Sequence, residues 1–383
     1  MNALLFQPIT LRGLTLCNRI VVEPMTQFSA DDGTAGDWHL MHLGQFAVGG
    51  AGLVMTESTY VAPHARNTPM CLSLYNDVQE AAITRIKRFF DAHGKARFGV
   101  QLCHAGRRAS AKEPWLGGGP RLPEDGGYAS VAPSAIPISG KWPAPRELDV
   151  AGLNDVCGAF VSAAQRAMRA GADLIELHCA HGYLLHQFLS PLSNQRGDRY
   201  GGTLENRMRF PLEVFEAVRA AWPTDKPLGV RVSATDWVAG GWDLDQTLAF
   251  ARALDALGCD FIDVSSAGLS ERQQITVGPG YQVPFAAAIK AVVRMKVIAV
   301  GLITQAQQAE TILMTGQADM IGLARAVMDD PRWPWHAAHE LGVKLEYPRQ
   351  YERAQPSHKS GAGINAPGNV APAPGMTTPM VRN

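Results

Sequence analysis

The sequence predicts a parallel (β/α)8 TIM barrel, and three observations carry that prediction. Eight short apolar runs, at 19–24, 52–57, 97–102, 173–178, 228–232, 261–264, 296–300 and 320–323, are each followed by a pattern of helical period. Alternating strands and helices imply a parallel sheet, and eight strands is the number that closes one on itself. Residues capable of chemistry gather where these runs end, which is where barrels of this kind keep their working side chains. Finally, 383 residues at 46% hydrophobic content can bury a core of that size.

The elements follow in order. The first eighteen residues alternate apolar and polar around Arg12-Gly13, which suits a hairpin closing the barrel floor. After the third run, residues 104–148 are rich in Gly and Pro and too long for an ordinary connection, so a lid or binding loop over the barrel mouth is expected. Leu153, Val156, Phe160, Ala164 and Ala167 recur at helical spacing before Gly171. Asp243 caps the helix carrying Leu244, Leu248, Ala251 and Leu254, with Gly258 after it. Thr304 with Gln307 reads as a capping box for a helix ending near Gly316. The domain is expected to run over 1–353. Residues 354–383, mostly Pro, Gly, Ala and Ser, cannot bury enough surface to offset their ordering entropy and are expected to be a disordered tail.

Composition narrows the function. Lys+Arg and Asp+Glu are both 35, which argues against nucleic acid or an anionic membrane as the main partner. The six cysteines are scattered without a Cys-x-x-Cys pair, so neither a disulfide framework nor a cysteine-rich metal knot is expected. Residues 1–8 lack a basic region followed by a long apolar one, and no apolar stretch is long enough to span a bilayer. A cytoplasmic protein is the expectation.

The chemistry centres on 174–183. An apolar run ends in His178, His181 and Tyr183, and polar groups at a strand end are both fixed and reachable. Together they can hold a carbonyl oxygen and hand over a proton. Other run ends contribute Pro24, Met25, Thr26, Ser58, Gln101, Arg231, Gly301, Ala324 and Arg325. Gly301 and Ala324-Arg325 stand after the seventh and eighth runs, the usual phosphate site of this fold. Arg231 lies inside an apolar run and needs an anion, either Glu176 or Asp263 or a bound anionic cofactor. Gln101 and Thr26 suit the edge of a planar heterocycle. Phosphate plus heterocycle describes flavin mononucleotide (FMN).

Several motifs make the chain recognisable: Arg12-Gly13-Leu14-Thr15-Leu16-Cys17-Asn18-Arg19-Ile20, Pro24-Met25, and the run from Gln101 to Arg107. His178-x-x-His181-Gly182-Tyr183 leads to Ser190-Pro191, followed by Asp198-x-Tyr200-Gly201-Gly202-x-Leu204-Glu205-Asn206-Arg207 and Arg231-Val232-Ser233. Over residues 3–353 the sequence resembles the Old Yellow Enzyme family of FMN-dependent ene-reductases, in the bacterial branch that contains xenobiotic reductases. The resemblance implies that Pro24, Met25, Thr26, Ser58, Gln101, Arg231, Ala324 and Arg325 contact FMN, with Glu23 in the first of these stretches. It implies hydride supply from NADPH or NADH and onward transfer to an activated alkene. His178 and His181 would bind the substrate oxygen, Tyr183 would donate the proton, and Phe28 would lie over the substrate. Arg353 would reach a neighbouring subunit's site in a homodimer or homotetramer. Three positions depart from the branch: Thr26 where cysteine is usual, Phe28 where tyrosine is, and Glu23 where a small residue is. The Glu23 carboxylate is expected to point away from the flavin.

A rival reading makes His178 and His181 ligands of a metal in a barrel hydrolase or lyase, with Glu176 or Asp263 as a third. Related FMN barrels with other reactions add closely spaced cysteines for an iron–sulfur cluster and a further nucleotide-binding domain, and neither is expected here.

Overall fold

A computed structural model describes residues 3–355. Eight parallel strands close the barrel: β1 (Ile20–Val22), β2 (Leu53–Met55), β3 (Arg97–Cys103), β4 (Leu174–Cys179), β5 (Leu228–Ser233), β6 (Phe261–Ser265), β7 (Lys296–Ala299) and β8 (Met320–Leu323). Closure comes from β8 pairing with β1, Ile321 opposite Ile20 and Leu323 opposite Val22. Between the strands run α1 (Asp37–Ala47), α2 (Asp77–His93), α3 (Val150–Arg169), α4 (Leu204–Ala221), α5 (Leu244–Ala256), α6 (Val283–Lys290) and α7 (Ala306–Met314), with α8 (Arg325–Asp329) after β8. The expected runs and the observed strands coincide because strands covered on both faces must be apolar throughout.

The helices form for legible reasons. Asp149 Oδ1 accepts from the Gly152 N–H at 2.8 Å and starts α3, which buries Leu153, Val156, Phe160, Ala164 and Ala167. Gly171 follows with φ 89°, the left-handed position that glycine adopts most cheaply. Asp243 caps α5 by accepting from the Gln246 N–H at 3.0 Å, as expected. The capping box at Thr304 and Gln307 does not form. Helix α7 begins one residue later, at Ala306 behind Gln305, and the Thr304 N–H bonds the Gln308 side chain at 3.2 Å instead. The Thr304 carbonyl accepts from the Trp333 indole at 2.7 Å. That tertiary contact holds the residue outside the helix.

The N-terminal hairpin is present. Ile9–Leu11 pairs antiparallel with Leu14–Leu16 around Arg12-Gly13, and Arg12 takes φ 50°. Ile9, Leu11 and Leu16 pack with Val21, Leu53, Met55, Leu174, Phe261, Ile298 and Met320, which point inward from six barrel strands. Burial of this kind contributes about 1.5–3 kcal/mol per large side chain and seals the end of the barrel opposite the site.

The 104–148 insertion holds short turns at Gly106–Arg108, Pro114–Leu116 and Pro123–Asp125, and a two-stranded ribbon of Val131–Ala132 with Arg146–Glu147. Its beginning locks onto the segment after β4. The His104 carbonyl accepts from the Leu184 N–H at 2.9 Å, and the Gln187 amide donates to the Ala105 carbonyl at 3.1 Å.

Among the described residues, 3–344 form the barrel unit and 345–355 belong to a second unit. The described part of the latter carries a turn at Arg349–Ala354. From residue 356 the expected tail lies outside the described residues. Among the described residues no helix is long and apolar enough to cross a membrane.

Candidate active site

Strand β4 delivers His178 at its end, buried on all sides. Its Nδ1 accepts from the Ala180 N–H at 3.2 Å, so a neutral ring carries its proton on Nε2. Nε2 lies 3.3 Å from Nδ1 of His181, and Nε2 of His181 lies 2.7 Å from the Ser265 hydroxyl at the end of β6. With one proton per ring, His178 donates to His181 and His181 donates to Ser265. Burial holds both imidazoles well below their ordinary pKa, and the charge of Arg231 adds to the effect. Two neutral imidazoles therefore meet edge to face, with centroids 5.0 Å apart.

The loop beyond β4 is tightly specified. His181 has φ 55°, with its N–H donating to the Ser233 hydroxyl at 2.9 Å. Gly182 has φ 72°, and a Cβ there would meet the carbonyl of Gly268. The Gly182 N–H donates to Nδ1 of His186 at 2.9 Å, and His186 Nε2 lies 3.0 Å from the fully buried Asp236. These contacts set Tyr183 edge-on to His178, with centroids 4.9 Å apart. Burial pushes the phenol of Tyr183 up to about 12, although Arg108, 5.7 Å from its ring centroid, opposes the shift. Tyr183 stays protonated at any ordinary pH.

Beneath lies a buried charge cluster. Arg231, on β5, pairs through Nε with Asp263 at 2.8 Å and through Nη1 with Glu23 at 3.0 Å. Asp263 was an expected partner. Glu23 was not, and its carboxylate turns into the barrel against Gly322, where any Cβ would collide with it. Burial opposes the charge on Arg231, but Asp263 and Glu23 outweigh it and raise its pKa above the usual value. Glu23 is pushed well above the carboxylate range by burial and by Asp263, with Arg231 opposing. A polar chain runs alongside: the Ser58 hydroxyl donates to Gln101 Oε1 at 2.9 Å, and Gln101 Nε2 donates to Glu176 at 2.7 Å.

Pro24, Met25 and Thr26 follow β1 outside any regular element, half-buried. Glu57 anchors the next turn: Oε2 accepts from the Gln27 N–H at 3.2 Å, and Oε1 is held by buried His39 at 3.0 Å. Phe28 follows at φ 48° and packs edge-on against Trp115 of the insertion, centroids 5.7 Å apart. Across the barrel mouth, Gly301, Ala324 and Arg325 line one cavity of about 160 Å³ with Ser265 and Gln282. Arg353 belongs to the second unit, where it is exposed.

The structure thus brings together the sequence-expected groups of the barrel and adds several. Ser265 and Ser233 sit at strand ends, so the strand-end rule could have found them. Arg108 and Gln282 come from loops with no local signal. The metal reading lacks a third ligand: among the described residues no group of three His, Cys, Asp or Glu side chains could hold an ion.

Residues 4–344 match the model of the NADH:flavin oxidoreductase / NADH oxidase family. The chain is 43% identical over 355 residues to an NADPH dehydrogenase of Geobacillus thermodenitrificans, covering 92% of this chain and 99% of that protein. It is 42% identical over 366 residues to an NADH:flavin oxidoreductase of Gibberella zeae, covering 91% and 88%. Among solved structures it resembles morphinone reductase, with TM-score 0.75 and 29% identity over 90% of this chain and 91% of that one. A pair of buried, neutral histidines and a protonated phenol over a barrel mouth, on a sequence that matches from end to end of the barrel, leads to one conclusion: the chain belongs to the NADH:flavin oxidoreductase / NADH oxidase family.

Proposed function

We propose that this protein is an FMN-dependent ene-reductase that takes hydride from NADPH or NADH and reduces activated alkenes: α,β-unsaturated carbonyls, maleimides or nitro compounds. The observation that carries the reading is the convergence of His178, His181 and Tyr183 within 5.0 Å between neighbouring ring centroids. The donor set fits the cofactor. Thr26, Ser58, Gln101 and Arg231 offer hydroxyl, amide and guanidinium groups suited to a heterocycle edge, with Pro24 and Met25 beside them. The cavity at Gly301, Ala324 and Arg325 suits a phosphate monoester. The Glu23 carboxylate, engaged by Arg231, contributes to the site through that arginine.

The FMN these residues would hold would supply the hydride chemistry, between the nicotinamide and the alkene. The protein's residues do the rest. His178 and His181 hydrogen-bond the substrate's carbonyl or nitro oxygen, where negative charge grows as hydride reaches the β-carbon; a donor of this kind is typically worth about 10²–10³ in rate. Tyr183 gives its phenolic proton to the α-carbon. Phe28 and Trp115 form an apolar wall for the substrate. Arg231 stabilises negative charge at the heterocycle edge, less strongly than a free guanidinium because Asp263 and Glu23 share it.

The test is direct. The purified protein is yellow, NADPH or NADH bleaches it without oxygen, and cyclohexenone, a maleimide or a nitroalkene restores the colour. A colourless protein that takes up no FMN overturns the reading. We further propose a cytoplasmic homodimer or homotetramer in which Arg353 completes a neighbouring site. Sedimentation as a monomer at assay concentration would remove that part alone.

A further inference from the structure

A cleft of about 760 Å³ opens beside the catalytic loop and has no task in the chemistry above. Gly268 forms part of its wall and packs so closely on His181 that a Cβ would meet that residue's backbone. Arg108 stands in the same wall. Its guanidinium lies 5.7 Å from the Tyr183 ring centroid, and its Nη1 donates to the Gly268 carbonyl at 2.7 Å. The cleft therefore begins where the proton donor and the oxygen cradle stand.

Its charge is lopsided. Arg108, Lys112 and Lys141 line it against a single carboxylate, Glu271. The bond from Arg108 goes to a carbonyl, which leaves its charge whole. Lys112 pairs with Asp125 at 2.9 Å, but both side chains are more than a third exposed, where water screens such a pair heavily. Trp142 and Leu116 supply apolar surface in the same cleft. A volume of this order is what small-molecule sites use, roughly 300–1,000 Å³. The fitting ligand is elongated and polyanionic, carries a flat ring, and has its other end at His181 and Tyr183.

We propose that this cleft seats the adenosine arm of the hydride donor, with Arg108 meeting its pyrophosphate and Lys112 and Lys141 meeting the 2′-phosphate that separates NADPH from NADH. The proposal rests on the flavin-reductase reading and adds the donor preference and its location. Guanidinium suits the bridging phosphates near the chemistry, and two flexible ammonium groups suit a terminal phosphate.

The test uses the flavin-loaded protein and its Lys112→Glu, Lys141→Glu and double variants. Both lysines are outside the oxygen cradle and the flavin-contacting residues. Bleaching rates against NADPH and NADH concentration give an apparent Kd for each donor, and 2′,5′-ADP and 5′-AMP are titrated as competitors. In the wild type NADPH binds more tightly than NADH, and 2′,5′-ADP competes better than 5′-AMP. Charge reversal at exposed sites is worth a few-fold each, so the double variant should weaken NADPH by about tenfold and NADH by less than about threefold. The two competitors should then become equal, and added salt should weaken NADPH more than NADH. Equal effects on both donors, no effect on either, or equal competition in the wild type overturns the proposal while leaving the ene-reductase reading standing. If dithionite bleaches the protein but neither nicotinamide does, that reading falls and takes this one with it.

Discussion

Glu23 Oε2 and Arg231 Nη1 lie 3.0 Å apart inside the barrel, while Asp263 holds the other side of the same guanidinium at 2.8 Å. With Glu176 close enough to raise the pKa of Glu23, three buried carboxylates surround one cation. A net charge of −2 is not tolerated in such a place, so the cluster retains protons. Burial and Asp263 push Glu23 well above 4.5, and the same two causes push Glu176 up to about 8.

Glu23→Gln, a close mimic of the neutral acid, should therefore change stability near pH 5 by less than about 1 kcal/mol. Asp263→Asn should cost less than the ~3–5 kcal/mol of a stranded buried cation, because Glu23 stays 3.0 Å from Arg231 and is freed from the repulsion that keeps it protonated. The pH dependence has a definite sign. A carboxyl whose folded pKa is raised contributes stability that is complete below its unfolded value near 4.5 and is lost as pH climbs through the folded value. Glu23→Gln should thus unfold at higher urea than the wild type at pH 9, with the gap closing toward pH 5. Urea midpoints at the two pH values check this, and a constant gap would place the proton elsewhere in the cluster.

Tyr183→Phe should slow alkene reduction by roughly 10²–10⁴-fold, the usual worth of a general acid. Flavin bleaching by NADPH should change by no more than about threefold, since no proton from Tyr183 is needed there. Separate stopped-flow traces of the two half-reactions decide it. Equal slowing of both would remove Tyr183 as the proton donor.

Ser265 bonds the outer nitrogen of His181 at 2.7 Å and donates weakly to Gln282 at 3.4 Å. A hydroxyl can accept or donate, so it can follow His181 when that ring turns its proton toward a substrate oxygen. Ser265→Ala should raise the Kd of a phenolic ligand about fivefold, the worth of one hydrogen bond near 1 kcal/mol. Ser265→Thr should restore it. Ligand titration by flavin absorbance reads both.

Neither the histidine cradle nor Tyr183 should add an inflection to alkene reduction between about pH 6 and 10. His178 and His181 are held well below 6.5 by burial and by Arg231, so they stay neutral as pH falls to 6. Tyr183 is pushed up to about 12, so it keeps its proton as pH rises to 10. Single-turnover reoxidation rates across that range test it; an inflection near 6.5 would mean that a histidine of the cradle titrates.

The sequence by itself determined the barrel, the floor hairpin and the line-up of strand-end residues. Strands buried on both faces must be continuously apolar, Arg12-Gly13 turns a hairpin, and His178, His181 and Tyr183 share one short segment. Only the tertiary structure decided how those groups are charged and joined. The reach of Glu23 to Arg231, of Ser265 to His181 and of Arg108 to Tyr183 each spans many tens of residues, and Thr304 left its helix for a contact with Trp333. Periodicity records which face of a strand or helix is apolar. It carries no record of which polar side chains, distant along the chain, share a low-dielectric space, and in that space proximity sets each proton's place.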